Sequence, residues 1–340
     1  MNLNLPPILL GEDVDSFRMK KILILCLFSM TAWGQSDTLR VTFGTYLETY
    51  YGHSFASPRA SEKSALFYNH TTLNRPAINL GLVEFSASKS KWTLRGDFML
   101  GTYSQKNLAA EPGLVKHIYQ LNAQVQLAPK HQLIVGIMPS HLGLESAKNW
   151  ENPSFSRSYI AENSPYYETG LAWSYSPTQR MNVKVLALTG WQTIHRFRPA
   201  LGTQITIENA KGIRFNSSGF IGDEGKGLRV FYDNYVLIPI SNRFNASISS
   251  DFGVESGKFW HGASGFLTWK AKPSLKFTGR LEYYNDPHAI ILAESLSDVS
   301  QSLTVDCQLK SWSMLRAELK HSAKWGNEIV AGLLFNLSAN

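Results

Sequence analysis

The nine histidines are the side chains best suited to ligate a metal or carry a proton, so they are the first test for chemistry. None stands in a His-Glu-x-x-His pair and none clusters with cysteine, which gives no support to a zinc centre. Gly262-Ala263-Ser264-Gly265 falls short of the Gly-x-Ser-x-Gly nucleophile elbow and reads as a strand where small residues pack closely. Gly222-Asp223-Glu224-Gly225-Lys226-Gly227 has the glycines and lysine of a phosphate loop. It lacks the Ser or Thr after the lysine and the helix that would follow, so it reads as a surface turn. Asp97 and Glu168 are carboxylates that could oppose each other across a cavity. His141 and His195 are the candidate bases for a phospholipase or protease carried on a barrel rim. No complete catalytic constellation emerges, and the expectation is a chain with no catalytic residues, no metal and no cofactor.

The charged residues instead follow a strict rhythm. Leu94, Gly96, Phe98 and Leu100 alternate with Arg95, Asp97 and Met99; Phe277, Gly279, Leu281 and Tyr283 alternate with Lys276, Thr278, Arg280 and Glu282; Leu315, Ala317 and Leu319 alternate with Arg316, Glu318 and Lys320. Period-two alternation of this kind predicts strands with one oily and one charged face. A soluble secreted sandwich that binds a ligand shows the same pattern with the oily face inward, so alternation alone leaves the surroundings open.

The spacing of turns separates the two. Short polar connections are expected at 88–91, 128–131, 176–179, 208–212, 240–243, 272–274 and 310–313. Longer ones are expected near 52–70, 104–115, 140–165, 194–200, 222–227, 255–260, 286–297 and 321–328. Short and long connections alternate, as they do when a transmembrane up-and-down antiparallel barrel has short periplasmic turns on one rim and longer extracellular loops on the other. The count predicts about sixteen strands. Tyr50, Tyr51, Trp92, Tyr103, Tyr166, Tyr167, Trp191, Trp260, Trp269, Tyr283 and Tyr284 fall near segment ends, where interfacial girdles place aromatic rings.

Composition agrees with that reading. Of 340 residues 44% are hydrophobic and 17% charged, with a formal charge of +7, which excludes a disordered polyion. The basic residues are scattered singly, without the basic stripe of a nucleic-acid binder, and no apolar run reaches the ~20 residues of a membrane helix. Met19, Lys20 and Lys21 followed by the apolar stretch 22–33 read as a secretory leader, with Ala32 and Gly34 as the small residues before cleavage. Residues 1–18 carry Glu12, Asp13 and Asp15 and read as a mis-assigned extension upstream of a start at Met19. The domain expected is 35–340, and without the leader only Cys307 remains, so no internal disulfide can form.

Gly101-Thr102-Tyr103 with Asn107 and Glu111-Pro112, the run from Gly136 through His141 and Glu145 to Ser146, residues 158–162, the run from Ser164 through Glu168 to Gly170, and Thr189-Gly190-Trp191-Gln192 resemble the OmpL-like β-barrel porin family of Bacteroidota outer membranes. The resemblance is densest over 95–225 and implies an outer-membrane barrel and a diffusion channel, without identifying the solute. The chain ends Leu333-Leu334-Phe335-Asn336-Leu337-Ser338-Ala339-Asn340, where many barrels end on an aromatic residue.

If the charged face looks into a lumen, the lining includes Arg95, Asp97, Lys184, Arg229, Asp251, Arg280, Glu282, Arg316 and Glu318. The whole inward set has three more basic than acidic side chains, which predicts a weakly anion-preferring, water-filled porin for small hydrophilic solutes. Segment 140–165, with Glu145, Lys148, Glu151, Arg157 and Glu162, is the candidate constriction loop. Its partners are outer-membrane lipids and small solutes, not nucleic acid; the oligomeric state stays open, with a trimer among the options.

Overall fold

A computed structural model describes residues 38–55, 68–292 and 294–338. The leader read over 19–34, its cleavage after Gly34 and the extension 1–18 lie outside the described residues. Sixteen strands follow one another: β1 (Arg40–Ser54), β2 (Ala77–Lys89), β3 (Trp92–Leu100), β4 (Ile118–Ala128), β5 (His131–Pro139), β6 (Tyr167–Thr178), β7 (Met181–Leu188) and β8 (Ala200–Glu208). The second half comprises β9 (Arg214–Asp223), β10 (Leu228–Pro239), β11 (Phe244–Glu255), β12 (Lys258–Lys272), β13 (Leu275–Asp286), β14 (Leu296–Lys310), β15 (Ser313–Ser322) and β16 (Gly326–Ser338). Two short helices lie in connections, α1 (Thr102–Asn107) and α2 (Tyr159–Glu162).

Each strand pairs antiparallel with its sequence neighbours, and β16 returns to β1 in a register running from Gly44↔Ser338 to Ser54↔Glu328. The sheet is therefore a closed barrel without an edge, so every strand finds backbone partners on both sides. Period-two alternation sets the two surfaces. On β3, Leu94 is 55% exposed and Asp97 0%; Leu281, Leu303, Leu315 and Leu319 likewise face out while Arg280, Glu282, Arg316 and Glu318 are buried inside.

All seven expected short turns lie on one rim. On the other rim, three of the longer connections contract because their strands run further than the sequence pattern suggests. The one expected at 255–260 is a two-residue turn, with Ser256 and Gly257 at φ 51° and 76°. Two consecutive positive φ values match the right-handed twist of a hairpin, which is why glycine closes it. The connections expected at 222–227 and 321–328 shrink to 224–227 and 323–325.

The aromatic assignment needs correction. Tyr51, Trp92, Trp269 and Tyr283 do face outward, but Tyr50, Tyr103, Tyr166, Tyr167, Trp260 and Tyr284 are buried in the interior and Trp191 packs there against Phe220 and Phe231. Adjacent rings such as Tyr50 and Tyr51 must point to opposite faces of a strand, so nearness to a strand end cannot distinguish girdle from core. Toward the short-turn rim the outer surface carries stacked rings instead: His131 with Tyr175 and Trp173, Trp269 with Phe244 and Phe277, and Trp312 with Phe335.

Candidate pore and its inserted loop

The connection between β5 and β6, residues 140–166, crosses the barrel interior to the opposite wall. It starts at Pro139, whose ring cannot continue the ladder as a donor, and Ser140 and His141 fasten at once to Glu168 on β6. The His141 ring bridges two strands: Nδ1 meets Glu168 at 2.8 Å and Nε2 donates to the Gly219 carbonyl at 3.0 Å. Burial pushes the His141 imidazole down, but the Glu168 carboxylate and the Gly219 carbonyl together push it up by more, so its pKa lies above the ordinary value.

From there the segment binds wall residues whose charges face inward by strand parity. Asn149 Nδ2 donates to Glu48 on β1 at 2.8 Å, and the same carboxylate accepts from Tyr46 and Asn79 and pairs with His70. Arg316 on β15 donates to the carbonyls of Asn149, Asn152 and Pro153 while holding Asp306 at 2.6 Å. Arg280 on β13 donates to the Ser156 carbonyl at 2.6 Å and pairs with Glu318 at 3.0 Å, and Glu318 accepts from the Ser156 hydroxyl at 2.9 Å. Glu282 accepts the Tyr159 amide at 2.7 Å at the start of α2 and pairs with Lys320. Buried charges persist only when paired and hydrogen-bonded, and here the loop backbone supplies much of that bonding.

Lining positions were expected to face water. Arg280, Glu282, Arg316 and Glu318 do not: they point inward, but the loop covers them and leaves their side chains at most 2% exposed. Arg229 is also buried, paired with Glu255 at 2.7 Å and stacked over Trp191, and Asp251 lies buried beside Asp233, its register partner. Asp97 and Glu168 do not oppose each other; Asp97 pairs with Arg95 and Glu168 with His141. Arg95 is 40% exposed at its side chain, and Lys184 is half-buried against a cavity.

The five charged loop residues also divide. Glu145 is buried and accepts from Ser158, Arg157 stacks on Tyr166 at 4.1 Å, Glu162 accepts from Asn69 and the Tyr68 amide, and Lys148 pairs with Glu84. Burial lifts the Glu145 carboxyl above its usual range against the pull of Arg280 and Arg157. Glu151 alone among the five is exposed.

Glu151 stands where three cavities on the short-turn side meet, of about 490, 390 and 400 Å³, since it lines all of them. A fourth cavity of about 340 Å³ opens toward the long-loop rim between Lys106, Tyr166, Trp191 and Arg229. The loop thus lies between an outer vestibule and a larger inner one. Sequence reasoning missed the neutral amides Gln120, Asn122 and Gln124 that line the third cavity. Their signal was present in the alternation of the run 120–126, but without charge it drew no attention.

Three lumen-facing glycines act as sockets for the loop. A Cβ on Gly202 would stand 2.7 Å from the His141 ring, one on Gly262 2.5 Å from Ile160, and one on Gly332 2.5 Å from Phe155. Gly202→Ala is the cleanest test, because its nearest neighbours are side chains. Overpacking of this kind costs about 1–3 kcal/mol, and the expected result is a displaced His141. An imidazole NMR titration should show its pKa falling back toward the free value, and an unmoved titration would mean that the socket yields.

A family model described as "Putative beta-barrel porin-2, OmpL-like" matches residues 40–332. No curated protein matches the chain. Among solved structures, the chain is similar to the trimer form of OmpT, an outer membrane protein of Vibrio cholerae (TM-score 0.60, 10% identity, covering 88% of this chain and 100% of that one). It is also similar to Pseudomonas putida OprB (0.58, 10%, 95% and 97%) and to a triple mutant of Rhodopseudomonas blastica porin (0.55, 8%, 88% and 100%). At such identities the likeness is one of fold.

Proposed function

The chain belongs to the OmpL-like β-barrel porin family and is a porin-like barrel of the outer membrane, and from that premise we propose that it is a passive, water-filled channel for small hydrophilic solutes, without catalytic activity and weakly anion-preferring. One observation carries the reading: beside the inserted loop, cavities that share Glu151 are lined by ionic side chains which need solvent. Against an enzyme, both candidate histidines have their ring nitrogens engaged. His141 is held by Glu168 and Gly219, and His195 by Glu111 and Arg196, so neither has a nitrogen left to serve a nucleophile. Export through the 19–34 leader belongs to the same proposal. So does a trimer, the form in which one similar barrel was solved, to be tested by cross-linking in the membrane.

Purified protein in a planar bilayer should give discrete ohmic conductance steps. Folded, inserted protein that passes no current would overturn the channel. Selectivity should follow the charges that water reaches. Arg95, Lys148, Lys184, Arg214, Lys270 and Lys276 line the inner cavities against Glu84, Asp97, Glu151 and Glu208. The positive excess raises the local anion concentration within a Debye length, ~8 Å at physiological salt. Replacing Arg95, Lys184 and Lys276 by Gln should lower or reverse the anion bias in reversal potentials across a dilute gradient, and the difference should fade in molar salt. Cation preference in the native protein would show that Glu151 and its neighbours dominate the passage.

A further inference from the structure

We propose that the inner vestibule holds a binding site for a polyhydroxylated monoanion, a sugar-acid type of solute, built from a row of side-chain amides and one lysine outside any ion pair. The inference rests on the channel reading and names the solute class that would linger on its wall.

The amides form a directed chain across three strands. Gln132 Nε2 on β5 donates to Gln124 Oε1 on β4 at 3.3 Å, Gln124 Nε2 to Asn122 Oδ1 at 3.0 Å, and Asn122 Nδ2 to Gln120 Oε1 at 3.2 Å. Gln120 Nε2 in turn donates to Asp97 Oδ2 on β3. Such a chain fixes each amide plane while using only part of its capacity. A primary amide has two N–H donors and two acceptor lone pairs, so Gln120 and Gln124 each keep one N–H. Their Oε1 atoms each accept one hydrogen bond and keep a second lone pair, while at the end of the row Arg95 at 3.2 Å balances the charge of the buried Asp97 carboxylate. The wall therefore offers fixed amide donors beside fixed amide acceptors. A hydroxyl group is the small substituent that satisfies both, because it donates and accepts at once.

The anionic end is placed by register. Gln132, Ser174 and Lys184 are partners on the consecutive strands β5, β6 and β7, so the lysine stands two strands, roughly 10 Å, from the amide row. Lys184 lines the same cavity as Gln120, Asn122 and Gln124, and makes no ion pair among the described residues. Glu168, the carboxylate whose field reaches it, is engaged by His141 at 2.8 Å. A half-buried cation outside any close ion pair has room to take one further carboxylate. Arg95 and Lys148 on the same cavity are already committed to Asp97 and Glu84, which leaves Lys184 to answer one negative charge and matches a singly charged solute with a hydroxylated body.

Titration calorimetry of the folded, detergent-solubilised full chain tests this with three six-carbon probes: gluconate, its neutral polyol counterpart sorbitol, and the hydroxyl-free anion hexanoate. Gluconate should bind about tenfold more tightly than either of the others, the difference made by one charge-assisted bond or one set of neutral ones. Lys184→Gln should bring gluconate down to the level of sorbitol, and Gln120→Leu with Gln124→Leu should bring it down to that of hexanoate. Chloride conductance in bilayers is measured in parallel. Normal conductance with gluconate no tighter than sorbitol and hexanoate overturns the site and leaves the channel standing. Gluconate binding without conductance overturns the channel and supports the site. The native-protein comparison decides even where a variant fails to fold.

Discussion

Deleting 146–160 is expected to raise single-channel conductance several-fold while the barrel stays folded. The deleted stretch contains Asn149, Ser156 and Tyr159, the groups that bind Glu48, Arg280 with Glu318, and Glu282 across the lumen. The strand ladders do not depend on them, because every strand is paired on both sides by the sheet itself. Nor does removal strand the wall charges. Arg280–Glu318, Arg316–Asp306 and Lys320–Glu282 pair within the wall, and water entering the cleared lumen takes over the bonds that the loop backbone made. Planar-bilayer recordings together with a heat-modifiability gel check both halves of the expectation. A correctly inserted deletion with native conductance would show that current never passes beside this segment.

Arg316→Met should have the second largest effect, and in one residue. The guanidinium holds three loop carbonyls as well as Asp306, a forked geometry that no other side chain reproduces. Breaking one partner of a buried ion pair costs about 3–5 kcal/mol. Here Lys276, 3.2 Å from Asp306, offsets part of that cost in the wall but none of it in the loop. The expected phenotype is a loosened segment: flickering current, protease cleavage within 146–160 and a lower temperature for the gel shift, with Arg316→Lys intermediate because it keeps charge and loses the fork. Quiet, native-like current in R316M would show that the remaining anchors suffice.

The strands and their parity were legible because a membrane imposes an apolar outer face on every one of them, as Leu94, Phe98, Leu281 and Leu319 display. All seven short turns could be placed for the same reason: polar clusters interrupt an otherwise regular pattern. The interior was less legible. Arg280 and Arg316 carry the same signal in sequence whether they meet water or a loop backbone 124 or 167 residues away, and nothing local distinguishes the two. Glycine sockets such as Gly202 have meaning only once His141 is known to arrive there. The loop itself stood out by length and charge, yet four of its five charged residues turned out to be fasteners and only Glu151 faces the solvent.

The seam between the first and last strands gives the loop a place in time. Its anchors are divided between Glu48 on β1 and Arg280, Arg316 and Glu318 on β13 and β15, groups that a chain folding strand by strand brings round one lumen only when β16 meets β1. Contacts separated by more than a hundred residues form after the local hairpins, since the entropy of closing so long a segment must be met first. The segment consequently seats at or after closure, and the newly closed cylinder passes through a stage in which it is complete in hydrogen bonds but unobstructed. Damage to the fasteners would then prolong a leaky adolescence of the molecule rather than prevent its birth.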